Sequence, residues 1–177
     1  MKREVYEQQK KAALAYFQKA HIVLTDAEKD NIEVADYDLN DVNNVGLQLI
    51  TYINTDRVCA KEMVLLPYQT CPEHWHVDTD GMKGKEETFR CRYGTVYLYV
   101  DGEKKENIQA KMPKTDVTIF NEIILNEGEQ HTLMPYTKHW FQGGPKGAVI
   151  SEFSTRSTDE TDVFTDKRIV RMPVIEE

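Results

Sequence analysis

Histidines two residues apart on a strand point to the same side, because successive side chains alternate across a sheet. His74-Trp75-His76 has that spacing. Eleven residues after His76 stands Glu87, and His139 follows the turn-like stretch Met134-Pro-Tyr-Thr-Lys. Alone, His-x-His also describes two exposed loop histidines. Three imidazoles and a carboxylate drawn from three segments can instead converge inside a barrel as a mixed nitrogen and oxygen shell for one divalent ion. With no thiolate, that shell suits Mn, Fe, Co, Ni or Zn without choosing among them. It leaves positions free for two adjacent oxygens of a polyol or an acyl-like chelator. His131 competes with His139, although its place close behind the Asn126-Glu-Gly128 turn suits the mouth of a cavity better.

Further charged residues fall where apolar ones are expected. Lys61 alternates with Met63 and Leu65, so an ammonium falls on the face that should be buried, where it needs either a partner or a route for its tip to water. Glu152 shares strand parity with Ala148, Ile150 and Ser154. That parity lets it face the interior, where partial desolvation would raise its basicity. By residue type alone, Glu152, Lys85, Asp162 and Arg171 would be ordinary solvated charges.

The elements that must carry these residues are mostly strands. From Val45 onward the chain breaks into short runs of Val, Ile, Leu, Tyr and Thr, separated by Pro, Gly, Asn and Asp at intervals of about ten residues. Strands are expected at Gly46 to Ile53, Val58 to Leu66, around His74 to His76, Glu87 to Cys91, Val96 to Val100, Val117 to Leu125, Gln130 to Leu133, His139 to Gln142 and Val149 to Ser154. Asp101-Gly102 and Asn126-Glu-Gly128 read as hairpin turns. That rhythm predicts an all-β sandwich or jelly-roll barrel. Before it, Tyr6, Ala13, Phe17 and Ala20 form the buried stripe of a helix over residues 3 to 20, and Thr25-Asp-Ala-Glu28 has the spacing of a capping box. Trp140 should point away from the histidines by alternation, and Phe141 toward them, as a wall of the cavity.

Composition narrows the function classes. A chain of 177 residues suits one domain, with residues 1 to 40 as a helical segment packed on the barrel. The net charge of −8 and the lack of a Lys/Arg cluster exclude a phosphate-backbone partner and hence nucleic acid. There is no apolar run of membrane-spanning length and no export-type N-terminus, so the reading is a cytoplasmic protein without a membrane partner. Cys59, Cys71 and Cys91 are an odd number at wide spacing, as for reduced thiols.

His74, His76, Glu87 and Gly94, in the order His-x-His, Glu, six residues, Gly, resemble the first motif of the cupin superfamily, with a longer spacer before the glutamate. In the second motif only His139 is retained. Within that superfamily the chain resembles the D-lyxose isomerases from about Val58 onward. The resemblance rests on Ala60-Lys61-Glu62-Met63, on Pro72 and Lys85 beside the first motif, on Glu152-Phe-Ser154, on Asp159-Glu-Thr-Asp162-Val-Phe164 and on Arg171-Met-Pro173-Val-Ile-Glu-Glu. It implies a jelly-roll β-barrel with an N-terminal helical extension, a homodimer, and one divalent metal per chain, Mn²⁺ first, on His74, His76, Glu87 and His139. It also implies a monosaccharide substrate and an aldose–ketose isomerase acting on D-lyxose and D-xylulose, with D-mannose and D-fructose as a second pair. Glu152, Lys85 and Lys61 would then be the acid–base set, with Asp162, Arg171 and Phe141 around the sugar. An iron cupin dioxygenase and a non-catalytic sugar-binding cupin are the alternative functions for the same metal shell.

Overall fold

The computed structural model of the protein describes residues 1–172 and 174–176. Pro173 and Glu177, part of the C-terminal signature, lie outside the described residues. The chain opens with helix α1 (Arg3–Lys19) and the short helix α2 (Asp26–Asp30). Strands follow: β1 (Glu33–Ala35), β2 (Leu47–Asn54), β3 (Cys59–Leu65), β4 (Thr70–Trp75), β5 (Glu87–Val100), β6 (Asn121–Asn126), β7 (Gln130–Leu133), β8 (His139–Ser154) and β9 (Val163–Phe164). The all-β expectation holds, and no helix among the described residues is long and apolar enough to cross a membrane.

Two long strands make the spine. β5 and β8 pair antiparallel along their whole lengths, from Glu87↔Ser154 to Val100↔His139. At one end β8 also pairs β3, and at the other it pairs β4. A strand that changes neighbour along its length forces the sheet to curl, and the order β1-β2-β3-β8-β4-β9 wraps around the result. Inside the curl lies one apolar cluster that includes Leu47, Leu49, Met63, Phe89, Leu98, Phe141 and Ile150.

Each of these long strands was expected as two short ones, and the glycines explain the difference. Gly143, Gly144 and Gly147 read as turn residues, yet all three sit inside β8. Gly94 in β5 shows why small residues are needed there: its φ is +74°, and a Cβ would strike the carbonyl of Gly147 on the facing strand. The glycine of the first motif is thus a packing requirement of the spine.

Other expectations shift for stated reasons. Asp101-Gly102 does not close a tight hairpin, because β5 and β6 pair Val100↔Asn121 across an irregular segment. That segment is held by buried acceptors: Glu73 takes the amides of Thr118 and Ile119, and Glu122 takes that of Gln109. Thr118 and Ile119 therefore bond to a side chain instead of extending β6. The Asn126–Gly128 turn joins β6 to β7, which lie along successive parts of β5 rather than against each other. The helical segment ends sooner than residue 40, since β1 already pairs β2. The Thr25 capping box forms as read, with Thr25 and Glu28 each satisfying the other's amide. α1 buries Tyr6, Ala13 and Phe17 on the outer face of the sheet, against Ile50, Val64 and Val149.

Candidate active site

Strand parity delivers the first group of side chains. His74, at the C-terminal part of β4, pairs His139 at the start of β8. His76 follows two residues later. These three buried imidazoles offer ring nitrogens within 4.8 Å of one another. His131 lies opposite Phe89 on β7, outside the cluster, so of the two competing histidines the structure brings in His139. Glu87, at the start of β5, places Oε1 2.9 Å from Nε2 of His76 and 3.2 Å from Nε2 of His139.

Each imidazole has its outer nitrogen committed. Nδ1 of His74 lies 2.7 Å from the Pro72 carbonyl, Nδ1 of His139 2.9 Å from the Thr137 carbonyl, and Nδ1 of His76 2.5 Å from Asp162 Oδ1. All three partners are acceptors, so each Nδ1 donates. In the neutral ring, as a metal ligand requires, this turns the Nε2 lone pairs of His74 and His139 inward. His139 Nε2 is buried and makes no hydrogen bond, although a carboxylate oxygen of Glu87 stands 3.2 Å away. A lone pair and a carboxylate oxygen at that distance need either a shared proton or a cation between them. This orphaned lone pair, beside a fixed carboxylate and two further imidazoles with anchored outer nitrogens, fits a divalent metal shell.

The electrostatics agree with that fit. Burial, reinforced by the neighbouring His139 and His76, holds the His74 imidazole well below its usual range and therefore neutral, as a ligand must be. Burial and Lys85 oppose a proton on His76, but Glu87 and Asp162 outweigh them and push it up to about 9. A metal ion would take the place of that Nε2 proton.

The second group surrounds Glu152. Lys61 on β3 and Phe89 on β5 are its register partners on β8's two sides, so all three point inward. Oε1 of Glu152 accepts from Lys85 Nζ at 3.1 Å and from Ser154 Oγ at 3.0 Å, with Lys61 Nζ 3.8 Å away. Lys85 also reaches Glu87 Oε2 at 2.8 Å, joining the two groups. Burial disfavours both ammoniums. Glu152, Glu87 and Asp159 reverse this for Lys85, holding it well above its usual range, and Glu152 with Asp159 raises Lys61. The buried lysine on β3 thus has partners rather than a route to water.

Asp162 and Arg171 both line the cavity, but each is engaged with protein. Asp162 orients His76. Arg171 reaches Glu33 at 2.6 Å and Asp159 at 3.1 Å. Phe141 lines the cavity as alternation requires, while Trp140 turns away and stacks on Tyr99 at 3.8 Å. The space left between these side chains is about 30 Å³, room for a small ion or a water.

Asp159 was missed by residue-level reasoning. It sits in a 3-10 turn (Asp159–Thr161) and joins Lys61 at 2.6 Å, Lys85 at 3.6 Å and Arg171. Burial works against its charge, but these three cations hold the carboxyl well below its ordinary range. Its only signal was membership of the Asp159–Phe164 signature. Tyr37, another cavity residue, was also missed; it stands at φ +54° with its hydroxyl 3.2 Å from Cys71 Sγ.

Comparison with known proteins places this arrangement. A family model described as D-lyxose isomerase matches residues 15–177. A D-lyxose/D-mannose isomerase of Thermosediminibacter oceani is 57% identical, covering 99% of this chain and 98% of its own. A D-lyxose ketol-isomerase of Cohnella laeviribosi is 57% identical over 90% of each chain, and one of a Thermofilum species is 46% identical over 98% of each. The similarity therefore extends upstream of Val58. In fold the chain is similar to the L-ribose isomerase of Cellulomonas parahominis, at a TM-score of 0.76 and 13% identity, covering 99% and 98% of the two chains. The L-ribose isomerase of Geodermatophilus obscurus follows at 0.72 and 13%, covering 95% and 94%.

Proposed function

The chain belongs to the D-lyxose isomerase family and is a sugar isomerase, and from that premise we propose a metal-dependent interconversion of D-lyxose and D-xylulose, with D-mannose and D-fructose as a second pair. The observation that carries the proposal is the convergence of the three inward-turned imidazole edges with Glu87, one lysine away from the buried Glu152 carboxylate. Family membership favours this reading over the iron dioxygenase and the non-catalytic sugar binder.

His74, His76, Glu87 and His139 would hold one divalent ion, Mn²⁺ by preference over Fe, Co, Ni or Zn. When bound, the ion supplies a Lewis acid that polarises the sugar carbonyl. The remaining work falls to this chain's own residues. Glu152, as the carboxylate, takes the proton from C2 of the aldose and returns it to C1.

Lys85 is the better placed of the two lysines to donate to and recover a proton from the sugar oxygens, because it touches both Glu152 and Glu87. Lys61, tied to Asp159 and Ser157, positions Glu152. A pentose needs more than the 30 Å³ left among these side chains, so substrate binding requires some of the lining side chains to move.

Isomerisation run in D₂O tests the proton route. Exchange through Glu152 leaves deuterium at C1 of D-xylulose. Product formed at full rate with no deuterium at C1 points to hydrogen transfer within the sugar and against Glu152 as the base.

A homodimer belongs to the same proposal. Ile53 and Phe153 flank Ala60 on the outward face of β2, β3 and β8, and both are about half exposed, which supports a second copy there. Sedimentation equilibrium of the protein tests it.

A further inference from the structure

The ten-residue spacer between His76 and Glu87 folds into a small hairpin. Asp80 and Gly81, at φ +54° and +76°, form its tip, and Thr79 and Met82 exchange two backbone hydrogen bonds at 3.0 Å. The hairpin closes at its base on one atom. Oδ1 of Asp78 accepts the amide of Gly84 at 3.0 Å and the hydroxyl of Tyr136 at 2.6 Å. Gly84 is the residue immediately before Lys85, and it packs so closely on the His76 carbonyl that a Cβ there would strike it.

Tyr136 comes from the turn that precedes His139, and two features of it are unusual. Its φ is +68°, a conformation costly for a bulky side chain. Its ring is about half exposed, so apolar burial does not account for that cost. What the strained backbone does achieve is to aim the hydroxyl at Asp78. The consequence falls on Lys85, which lines both the metal-shell cavity and an outer chamber of about 360 Å³ walled by Thr79, Met82 and Gly84. The fixed hairpin base at Gly84 thus lies one residue from the side chain at that boundary.

We infer that Tyr136 and Asp78 form a latch that sets the hairpin's base and so positions Lys85 against Glu152, which makes Tyr136 a positioning residue for the reaction. The inference rests on the reading of Lys85 as the proton carrier. It also gives the long spacer a purpose: the spacer carries Asp78 and Gly84, the hairpin's side of the latch.

The test compares Tyr136→Phe, Asp78→Ala and the double variant as full-length protein, with D-lyxose at saturating Mn²⁺. Each single variant should lower kcat roughly threefold to tenfold, the worth of one hydrogen bond to a carboxylate partly open to water. KM, Mn²⁺ affinity and Tm should stay within about twofold, or a few degrees, of the parent. The double variant should lose no more than the worse single one, because both changes open the same latch. An unchanged kcat, an additive loss, or a loss that follows weakened Mn²⁺ binding would overturn the latch. Lys85→Ala is measured alongside. Full activity there would refute the lysine's role itself, whereas an impaired Lys85→Ala beside a fully active Tyr136→Phe would refute only the latch.

Discussion

Lys61 and Glu152 stand directly opposite each other on neighbouring strands, both buried, with Nζ 3.8 Å from Oε1. A carboxylate in that position is not a surface charge that folding happened to cover. Its register partners and its hydrogen bonds from Lys85 and Ser154 fix it on the inner face beside the histidine cluster.

Glu152→Gln keeps the shape and the hydrogen-bonding oxygen but removes the base. Turnover of D-lyxose should fall by about 10³-fold or more, the scale of a lost general base. Mn²⁺ affinity by calorimetry should hold, since Glu152 touches none of the four shell residues. Activity near that of the parent would remove Glu152 from the mechanism.

Asp159 is a structural hub rather than a reacting group. Asp159→Ala takes a shared carboxylate from Lys61, Lys85 and Arg171, which keep Glu152, Glu87 and Glu33 as partners, and breaking a buried ion pair from one side costs about 3 kcal/mol. Thermal and denaturant unfolding should both show the loss. Unchanged stability would mean that water replaces the carboxylate without penalty.

Gly94→Ala tests the spine. The position combines φ +74° with contact against the Gly147 carbonyl, a backbone atom that cannot yield as a side chain can. A loss of about 2 kcal/mol or more is expected, because the strain of a positive φ adds to the clash. A parental Tm would show that β5 and β8 can part locally there at little cost.

Asp166 carries an acid-sensitive contribution to stability. Hydrogen bonds from Arg168, opposed by burial, lower its carboxyl to about 2. A carboxyl depressed on folding stabilises above its unfolded value near 4 and loses that contribution as pH falls toward its folded value. The Tm gap between the parent and Asp166→Asn should thus be fullest at pH 5 and shrink as pH drops from 4 toward 2. The exposed Arg168 side chain keeps the effect modest. A gap that widens on acidification would contradict the assignment.

What could be read in the sequence was whatever obeys a short-range rule. His74, His76 and Phe141 follow strand parity, and so do the inward lysine at 61 and Glu152. The Thr25 cap follows a three-residue spacing. Lys85 follows no such rule, because a loop residue has no parity, and only the family resemblance marked it. Asp159 was hidden for a different reason: its bond to Lys61 spans 98 residues, and Arg171 reaches Glu33 across 138. Pairings of that length depend on which strands become neighbours. The merged strands β5 and β8 were obscured by glycines that serve close packing where turns were expected.

The most direct test of the central claim is the conversion of D-lyxose to D-xylulose by EDTA-stripped protein, with and without added Mn²⁺, with D-mannose run in parallel. The account predicts negligible product from the stripped protein and recovery on adding the metal, with D-lyxose and D-mannose both converted. Undiminished conversion by protein shown to be metal-free, or no product from either sugar by protein with stoichiometric Mn²⁺ bound, would contradict it.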